Sequence, residues 1–320
     1  FSGVINTLID YTLLAVIWTQ RYLEFTGDRA TVEPLLGACR DILRYFDERT
    51  EERGLFNWHW PGPPRSQGWE QQYTGETRRL GESMNLFLDH PGMGWHNKGE
   101  AGIDRRGINA AINALRVQAR EAMAELEAAF GDEAAAASLR ERNARLRDVL
   151  RKTFFDADRG AFVDGELDGE RLVQVSQQTN TWMLDARVMS DDDARAIMQR
   201  VLADDETIAS SGPYFWCYMY PLMCRLGLHA EGLEATRRNY QRMLDGGAST
   251  LWETWVGDDL DTWCHPWSGA AWPFLVGGVA GLPLMPAGDG EHELRPRYDL
   301  LREVDATVMI RVLHHLVDVP

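Results

Sequence analysis

The sequence predicts an all-α fold of repeated αα-hairpins that close into a ring, and three observations carry that reading. Apolar residues recur at helical spacing through most of the 320 residues. Glycine turns divide the helices into pairs of a buried and an amphipathic member. Strand-type alternation is sparse. Residues 5–25 carry Ile5, Leu8, Leu13, Val16, Ile17, Tyr22 and Leu23 on most sides, the pattern of a helix in an inner layer. Gly27-Asp28 interrupts it, and residues 31–46 follow as an amphipathic helix. The same pair recurs at 104–129 and 133–154 around Gly131-Asp132, with Leu139, Leu146, Val149, Leu150 and Phe154 at helical spacing among arginines. A third copy runs 214–226, breaks at Gly227 and continues through 230–244. Residues 174–188, 191–203 and 266–280 are predicted helices too. Ser190 with Asp193 forms a capping box in which Asp replaces the usual Glu or Gln. Strand signals are confined to a hairpin at 161–173 and a β-like tail from Leu294 to Val319. The count is about nine helices. A closed ring of six hairpins needs twelve, so helices are unrecognised or part of the ring is missing. Residues 1–290 are assigned to the ring and 291–320 to the start of a C-terminal β segment.

Composition narrows the function classes. Hydrophobic and charged fractions of 44% and 26% are those of a soluble globular protein. A formal net charge of −16 argues against nucleic acid and anionic membranes, and makes a neutral small molecule the easier ligand. Lysine is confined to Lys98 and Lys152, which reads as a GC-rich genome rather than as function. Cys39, Cys217, Cys224 and Cys264 lack metal-type spacing and read as buried free thiols. No apolar run is long enough for a membrane span, and the N-terminus shows no leader pattern. The chain opens at Phe1 without Met, as a processed product or a fragment does. Compartment and oligomeric state are left open.

Residues 54–103 depart from the helical pattern. They hold Trp58, Trp60, Trp69 and Trp95 together with Pro61, Pro63, Pro64 and Pro91. A loop of that length in a compact domain is functional or disordered, and four tryptophans favour a binding rim. Trp58-His59-Trp60 supplies aromatic platforms or core packing. Asp89 and His90, close to Trp95, read as ligand contacts. Asp104 fits a carboxyl role or, equally, the N-cap of the helix after it.

The densest signal is Gly246-Gly247-Ala248-Ser249-Thr250-Leu251-Trp252-Glu253-Thr254-Trp255, followed by Cys264-His265-Pro266-Trp267-Ser268. One carboxyl between two indoles, after a glycine turn that brings backbone close to a ligand, is how carbohydrate sites are built. The alternative is a surface Glu beside core tryptophans. Cys264-His265 lacks the further ligands a metal would need, so His265 is assigned to a sugar hydroxyl. Asp258 and Asp261 have the spacing of a Mg²⁺-diphosphate motif, but they follow Gly257 in a predicted loop with no basic clamp. No metal and no cofactor are expected.

Several of these segments together resemble the family 78 glycoside hydrolases, the α-L-rhamnosidases, and related six-hairpin glycosidases. The most specific are Met243 to Trp255 and Cys264 to Ala270. Asp10-Tyr11-Thr12-Leu13-Leu14, Asp104-Arg105-Arg106-Gly107 before Asn109 and Asn113, Ser176-Gln177-Gln178 with Asn180, and Pro213-Tyr214-Phe215 are similar as well. The resemblance spans residues 8 to 305 and implies an (α/α)6 toroid incomplete at its N-terminus. It further implies an inverting glycosidase acting on a neutral terminal sugar, with Glu253 as general base. The family's general-acid motif, rich in Asp and Glu and ending in Trp-x-Gly-Asp, has no counterpart here. The acid is therefore outside this chain, recruited from Asp89, Glu100 or Asp104, or lost. Trp58, Trp60, His90, Trp95, Trp252, Trp255, His265 and Trp267 complete the expected substrate contacts. A degenerate six-hairpin protein that binds carbohydrate without hydrolysis is the alternative. An epimerase or unsaturated-uronyl hydrolase on the same toroid is weaker, because neither catalytic histidines nor an acidic-sugar clamp are evident.

Overall fold

Each predicted hairpin begins with a helix buried on most sides, and the computed structural model shows how those helices stack. It describes residues 7–57, 84–89, 102–204, 207–257, 262–282 and 295–300. Helix α1 (Ile9–Thr26) buries Ile9, Leu13, Leu14 and Val16 and ends where Gly27 turns left-handed (φ 67) and returns its N–H to Leu23. Glycine takes that conformation without steric cost. A short α2 (Arg29–Val32), capped by Asp28, and a 3₁₀ turn (Glu33–Leu35) lead into α3 (Leu36–Asp47). The next hairpin is α4 (Ala110–Ala129) and α5 (Glu133–Phe154), capped by Asn109 and Asp132. Then come α6 (Gln177–Asp185), in which every residue except Asp185 is buried, and α7 (Asp191–Ala203). The last complete pair is α8 (Trp216–Arg225) and α9 (His229–Asp245).

Packing sorts these helices into two layers. Helix α4 lies against α1 and α6, α6 against α8, and α8 against the 266–279 stretch, forming an inner arc. Helices α3, α5, α7 and α9 pack outside it. The ends of the arc meet where the rings of Tyr11 and Trp267 come within 6.3 Å. Successive hairpins also share one device. Four residues after the N-cap, Asn113 of α4 and Asn180 of α6 donate back to the N-cap carbonyl, both at 2.9 Å. The same amides clamp the backbone of a buried phenylalanine. Asn113 accepts from Phe56 N–H at 2.7 Å and donates to its carbonyl at 3.0 Å, and Asn180 does the same for Phe162 at 2.9 and 3.0 Å.

The all-α reading therefore holds, with corrections at the edges. The helix expected from residue 104 starts at Ala110, because Gly107 (φ 61) passes so close to the Glu166 carbonyl that a Cβ would sit 2.1 Å from it. Asn109, not Asp104, is its N-cap. The helix expected at 266–280 is a 3₁₀ turn (Pro266–Ala270), one short α turn (Ala271–Pro273) and a π segment (Phe274–Val279). The expected hairpin is present as Gly165–Leu167 paired with Glu170–Arg171. Its two-residue turn has positive φ at both Asp168 and Gly169, as the twist of paired strands requires. Ser190 caps α7 as expected, accepting from Asp193 N–H and bonding its carboxylate at 2.7 Å. Of the four free thiols, Cys39 is buried, but Cys217 and Cys264 are exposed. In the tail, residues 298–300 form a turn and 301–320 lie outside the described residues.

The inner and outer layers are joined electrostatically at Asp47, the last residue of α3. Its carboxylate receives Arg116, Arg120 and Arg142, and the first two guanidinium groups are almost fully buried. Burial alone would raise this carboxyl, and the charges of Arg120, Arg142 and Arg116 overcome it and hold the group below its ordinary value. A depressed carboxyl stabilises the fold above its unfolded value, and that stability disappears as the pH falls. Asp47→Asn leaves buried cations uncompensated. It should lower unfolding stability by about 3–5 kcal/mol and flatten the acid side of the stability profile, as read from denaturant midpoints across pH.

Candidate active site

The segment after α9 folds back on itself because glycine flanks a tryptophan. The indole of Trp252 lies against Gly246 and Gly257, where an added Cβ would stand 2.7 and 2.6 Å from it. Trp263 meets it edge-on at 4.8 Å. Two chain segments then run side by side: Glu253 N–H donates to Thr262 O at 3.0 Å and His265 N–H to Leu251 O at 2.7 Å. Ser268 Oγ closes the fold on the Trp252 carbonyl at 2.6 Å. This arrangement turns the Glu253 carboxylate inward. Its Oε2 accepts the Thr262 N–H at 2.7 Å and stands 3.9 Å from His265 Nδ1.

From His265 an aromatic surface begins. Trp267 meets the imidazole edge-on at 5.5 Å and lies 5.0 Å from Tyr214 and 6.3 Å from Tyr11. Tyr214 and Tyr218 join hydroxyls at 2.7 Å, and Trp182 packs on Tyr218 at 4.4 Å. Trp267 is 48% exposed and Tyr11 and Tyr218 are half-buried, so these rings offer apolar faces of the kind that stack on sugars, whereas Tyr214 and Trp182 are buried behind them. Burial raises the phenol of Tyr11 to about 12 and pushes Tyr214 and Tyr218 upward as well. All three stay neutral at physiological pH and keep a hydroxyl proton to donate. Cys217 is exposed beside them, and burial of its surroundings followed by the charge of Asp89 raises its thiol to about 12.

Asp89 is buried, 2% exposed, close enough to these aromatic residues for its charge to act on Tyr11. Its Oδ2 accepts from Gln178 Nε2 at 2.7 Å and from Gly212 N–H at 2.8 Å, and its charge is felt by both Tyr11 and Cys217. The peptide group that donates to Asp89 accepts, through the Ser211 carbonyl, the indole N–H of Trp255 at 2.8 Å. Gln177 Oε1 anchors Ser211 on the other side of its Cα, accepting from both Ser211 N–H and Ser211 Oγ at 2.9 Å.

The expected contacts thus divide. Glu253, His265 and Trp267 border one surface, and Asp89 is buried, bonded to Gln178 and Gly212. Trp252 and Trp255 do not present a face to that surface. They are 3% and 1% exposed, and they brace the Glu253 turn from within the core. Asp104 is held in a two-pronged ion pair by Arg106, with contacts of 2.6 to 3.1 Å. Trp58, Trp60, His90, Trp95 and Glu100 lie outside the described residues, as does the Asp258–Asp261 cluster. Tyr11, Tyr214, Tyr218 and Gln178 are additions that spacing alone does not single out, since aromatic residues at helical intervals also fit a core. Among the described residues no group of three or more His, Cys, Asp and Glu is placed to hold a metal ion. None of their helices is long and apolar enough to cross a membrane.

An inner arc of helices with an outer layer packed on it is a fold of the six-hairpin type. The chain belongs to the mannosylglycerate hydrolase MGH1-like glycoside hydrolase domain family, whose profile matches residues 2–277. It is similar in fold to a GH78 family rhamnosidase of Bacillus sp. GL1, with 21% identity, a TM-score of 0.67, and coverage of 86% of this chain and 27% of that one. A rhamnosidase from Klebsiella oxytoca with rhamnose bound is similar at 21% identity and a TM-score of 0.66, over 87% of this chain and 48% of that one. The chain thus spans less than half the length of either enzyme. No curated protein sequence matches it. The resemblance to six-hairpin glycosidases read from the sequence holds for fold and family.

Beneath the site, Asp164 joins the Asp104 loop to α6. It accepts Ser176 Oγ at 2.6 Å, Thr179 Oγ1 at 2.7 Å and Asp104 N–H at 2.8 Å. Burial raises this carboxyl from 3.8 to about 7 against those hydrogen bonds. A raised group contributes stability that is present below the unfolded value and is lost as the pH rises through the folded one. Asp164→Asn should therefore remove the loss of stability between about pH 4 and 7. Denaturant midpoints across that interval check it, and an unchanged slope would contradict the assignment.

Proposed function

We propose that this chain carries the sugar-binding face and general base of an inverting glycosidase. The observation that supports this most is the placing of Glu253 Oε2 3.9 Å from His265 Nδ1 at the margin of the exposed Trp267 surface. A sugar ring stacked on Trp267 and Tyr11 would have Glu253 and His265 beside it, and Asp89, whose charge acts on Tyr11, is the candidate second carboxyl. In an inverting reaction the base carboxylate takes a proton from water as that water attacks the anomeric carbon. The glycosidic C–O bond breaks in the same step, and the second carboxyl, protonated at that stage, gives its proton to the leaving oxygen. Thr262 N–H orients the Glu253 carboxylate, and His265 adds a partner for it or for a sugar hydroxyl.

Substrate class follows from the relatives. One family description names mannosylglycerate and two structures are rhamnosidases. Mannose and rhamnose share the manno arrangement, with an axial hydroxyl at C2. A terminal neutral sugar of that configuration is the proposed substrate, and neutral phenols and indoles suit it better than a cationic clamp would. A second reading, carbohydrate binding without hydrolysis, is favoured by one observation. Asp104 is paired with Arg106, and Asp89 Oδ2 already accepts two hydrogen bonds.

Aryl α-L-rhamnosides and α-D-mannosides, with mannosylglycerate beside them, separate the readings when turnover and calorimetric binding are measured together. Under the hydrolytic reading, Glu253→Gln lowers kcat by at least about 1,000-fold, on the scale of losing a general base, while the fold and sugar affinity persist. Retained turnover in that variant would sink the assignment. Trp267→Ala should weaken binding of either sugar by roughly ten-fold or more, since one stacking face is lost.

A further inference from the structure

The turn that carries Asp89 is held in an unfavourable shape by two charged side chains outside the aromatic surface. Asp89 N–H donates to the Phe87 carbonyl two residues back at 2.7 Å, closing a three-residue turn with Leu88 at φ 59. Positive φ is uncommon for a residue with a branched side chain, and a turn of this type persists only where its surroundings enforce it. Here they do. Asp10 accepts Phe87 N–H at 3.1 Å on one carboxylate oxygen and Leu88 N–H at 3.0 Å on the other. Arg105 donates to the Phe87 carbonyl through Nε at 3.0 Å and Nη2 at 2.6 Å, and to the Asp89 carbonyl at 2.8 Å. A fourth hydrogen bond ties the same guanidinium to Ile103 O at 3.2 Å.

This rests on the reading of Asp89 as the second carboxyl of the site. We propose that Asp10 and Arg105 are positioning residues, which force the Phe87–Asp89 turn so that the Asp89 carboxylate is aimed at Gln178, the 211–212 peptide and the substrate. Asp10 is 2% exposed, and burial raises it from 3.8 to about 6 despite the N–H groups of Leu88 and Phe87 and the charge of Arg105. Tyr11 and Tyr218 also face it. A buried carboxylate costs desolvation free energy that an ordinary turn, closed by Gly or Asn, would not require. What the expense secures is a side-chain direction: Asp89 leaves the turn toward α6 and Gly212. An amide at position 10 keeps the shape but can accept only one of the two N–H groups. Glycine at position 88 takes positive φ without strain, so it makes the turn less dependent on its clamp.

The test is a set of variants of the whole chain: Asp10→Asn, Leu88→Gly, their combination, Arg105→Lys and Asp89→Asn. They are assayed on the aryl glycoside that the wild type turns over, with far-UV circular dichroism to confirm folding. Asp10→Asn should lower kcat by roughly 100-fold with KM within about two-fold, the signature of a misplaced group rather than lost binding. Leu88→Gly in that background should recover about ten-fold, whereas a purely structural Asp10 would make the second change additive in lost stability with no recovery. Arg105→Lys keeps the charge, loses the fork and should follow Asp10→Asn. It supplies the answer if Asp10→Asn does not fold. Unchanged kcat in the Asp10 or Arg105 variant, or no recovery in a folded double variant, overturns the proposal. A loss in Asp10→Asn with none in Asp89→Asn also overturns it while leaving the Glu253 reading intact. Should the wild type bind without turnover, the series is read by calorimetry with L-rhamnose and D-mannose. Affinity lowered by Asp10→Asn and restored by Leu88→Gly supports the proposal, and equal affinities overturn it.

Discussion

One peptide group, between Ser211 and Gly212, holds the two halves of the candidate site to each other. Its N–H serves Asp89, its carbonyl serves Trp255, and Gln177 ties the residue before it, Ser211, to the start of α6. Because a peptide unit is planar and trans, its N–H and carbonyl point in opposite directions and cannot be re-aimed independently. The Asp89 turn and the Glu253 segment are therefore referenced to a single rigid plate. The inner helices position that plate, and the two glycines against Trp252 allow the Glu253 segment to fold back toward it.

The hairpins could be read from the sequence because burial of one helix face imposes a period that survives without tertiary knowledge. Residues 133–154 and 191–203 were legible to the residue for that reason. The failures are equally physical. Asp104 has the chemistry of a cap, but a close approach of Gly107 to Glu166 delays the helix until Asn109. Residues 266–280 have helical spacing, yet the stretch must pass from a 3₁₀ to a π winding, which periodicity does not distinguish. Within the site, Glu253, His265 and Trp267 form one local cluster and so could be recognised as a motif. Trp252 and Trp255 carry the same signal as Trp267, because an indole has one composition whether it faces a sugar or a core. Tyr11, Gln178 and Gly212 come from separate hairpins, and only the closure of the arc brings them beside Asp89.

Charge and polarity are distributed unevenly across this molecule. Cations are spent on architecture: Arg116 and Arg120 on Asp47, Arg40 on Glu127, Arg53 on Glu166. The described side of the site facing the aromatic floor is left with carboxylates, neutral phenols and an imidazole. Such a surface recognises a ligand by shape and hydroxyl direction, since hydrogen bonds to neutral donors are directional while charge attraction is not.

The asparagine clamps of α4 and α6 bear on the order in which the chain comes together. Both make the same bonds, but one closes a segment of 18 residues and the other a segment of 57. Loop-closure entropy separates them by about 1 kcal/mol in favour of the shorter. The 162–180 contact is accordingly the cheaper to close, since it spans only the connection between α5 and α6. The 56–113 contact must wait for a long excursion of the chain to return. Growth of the arc from its middle toward the α1 edge is the kinetic consequence of using one clamp at two such different spans.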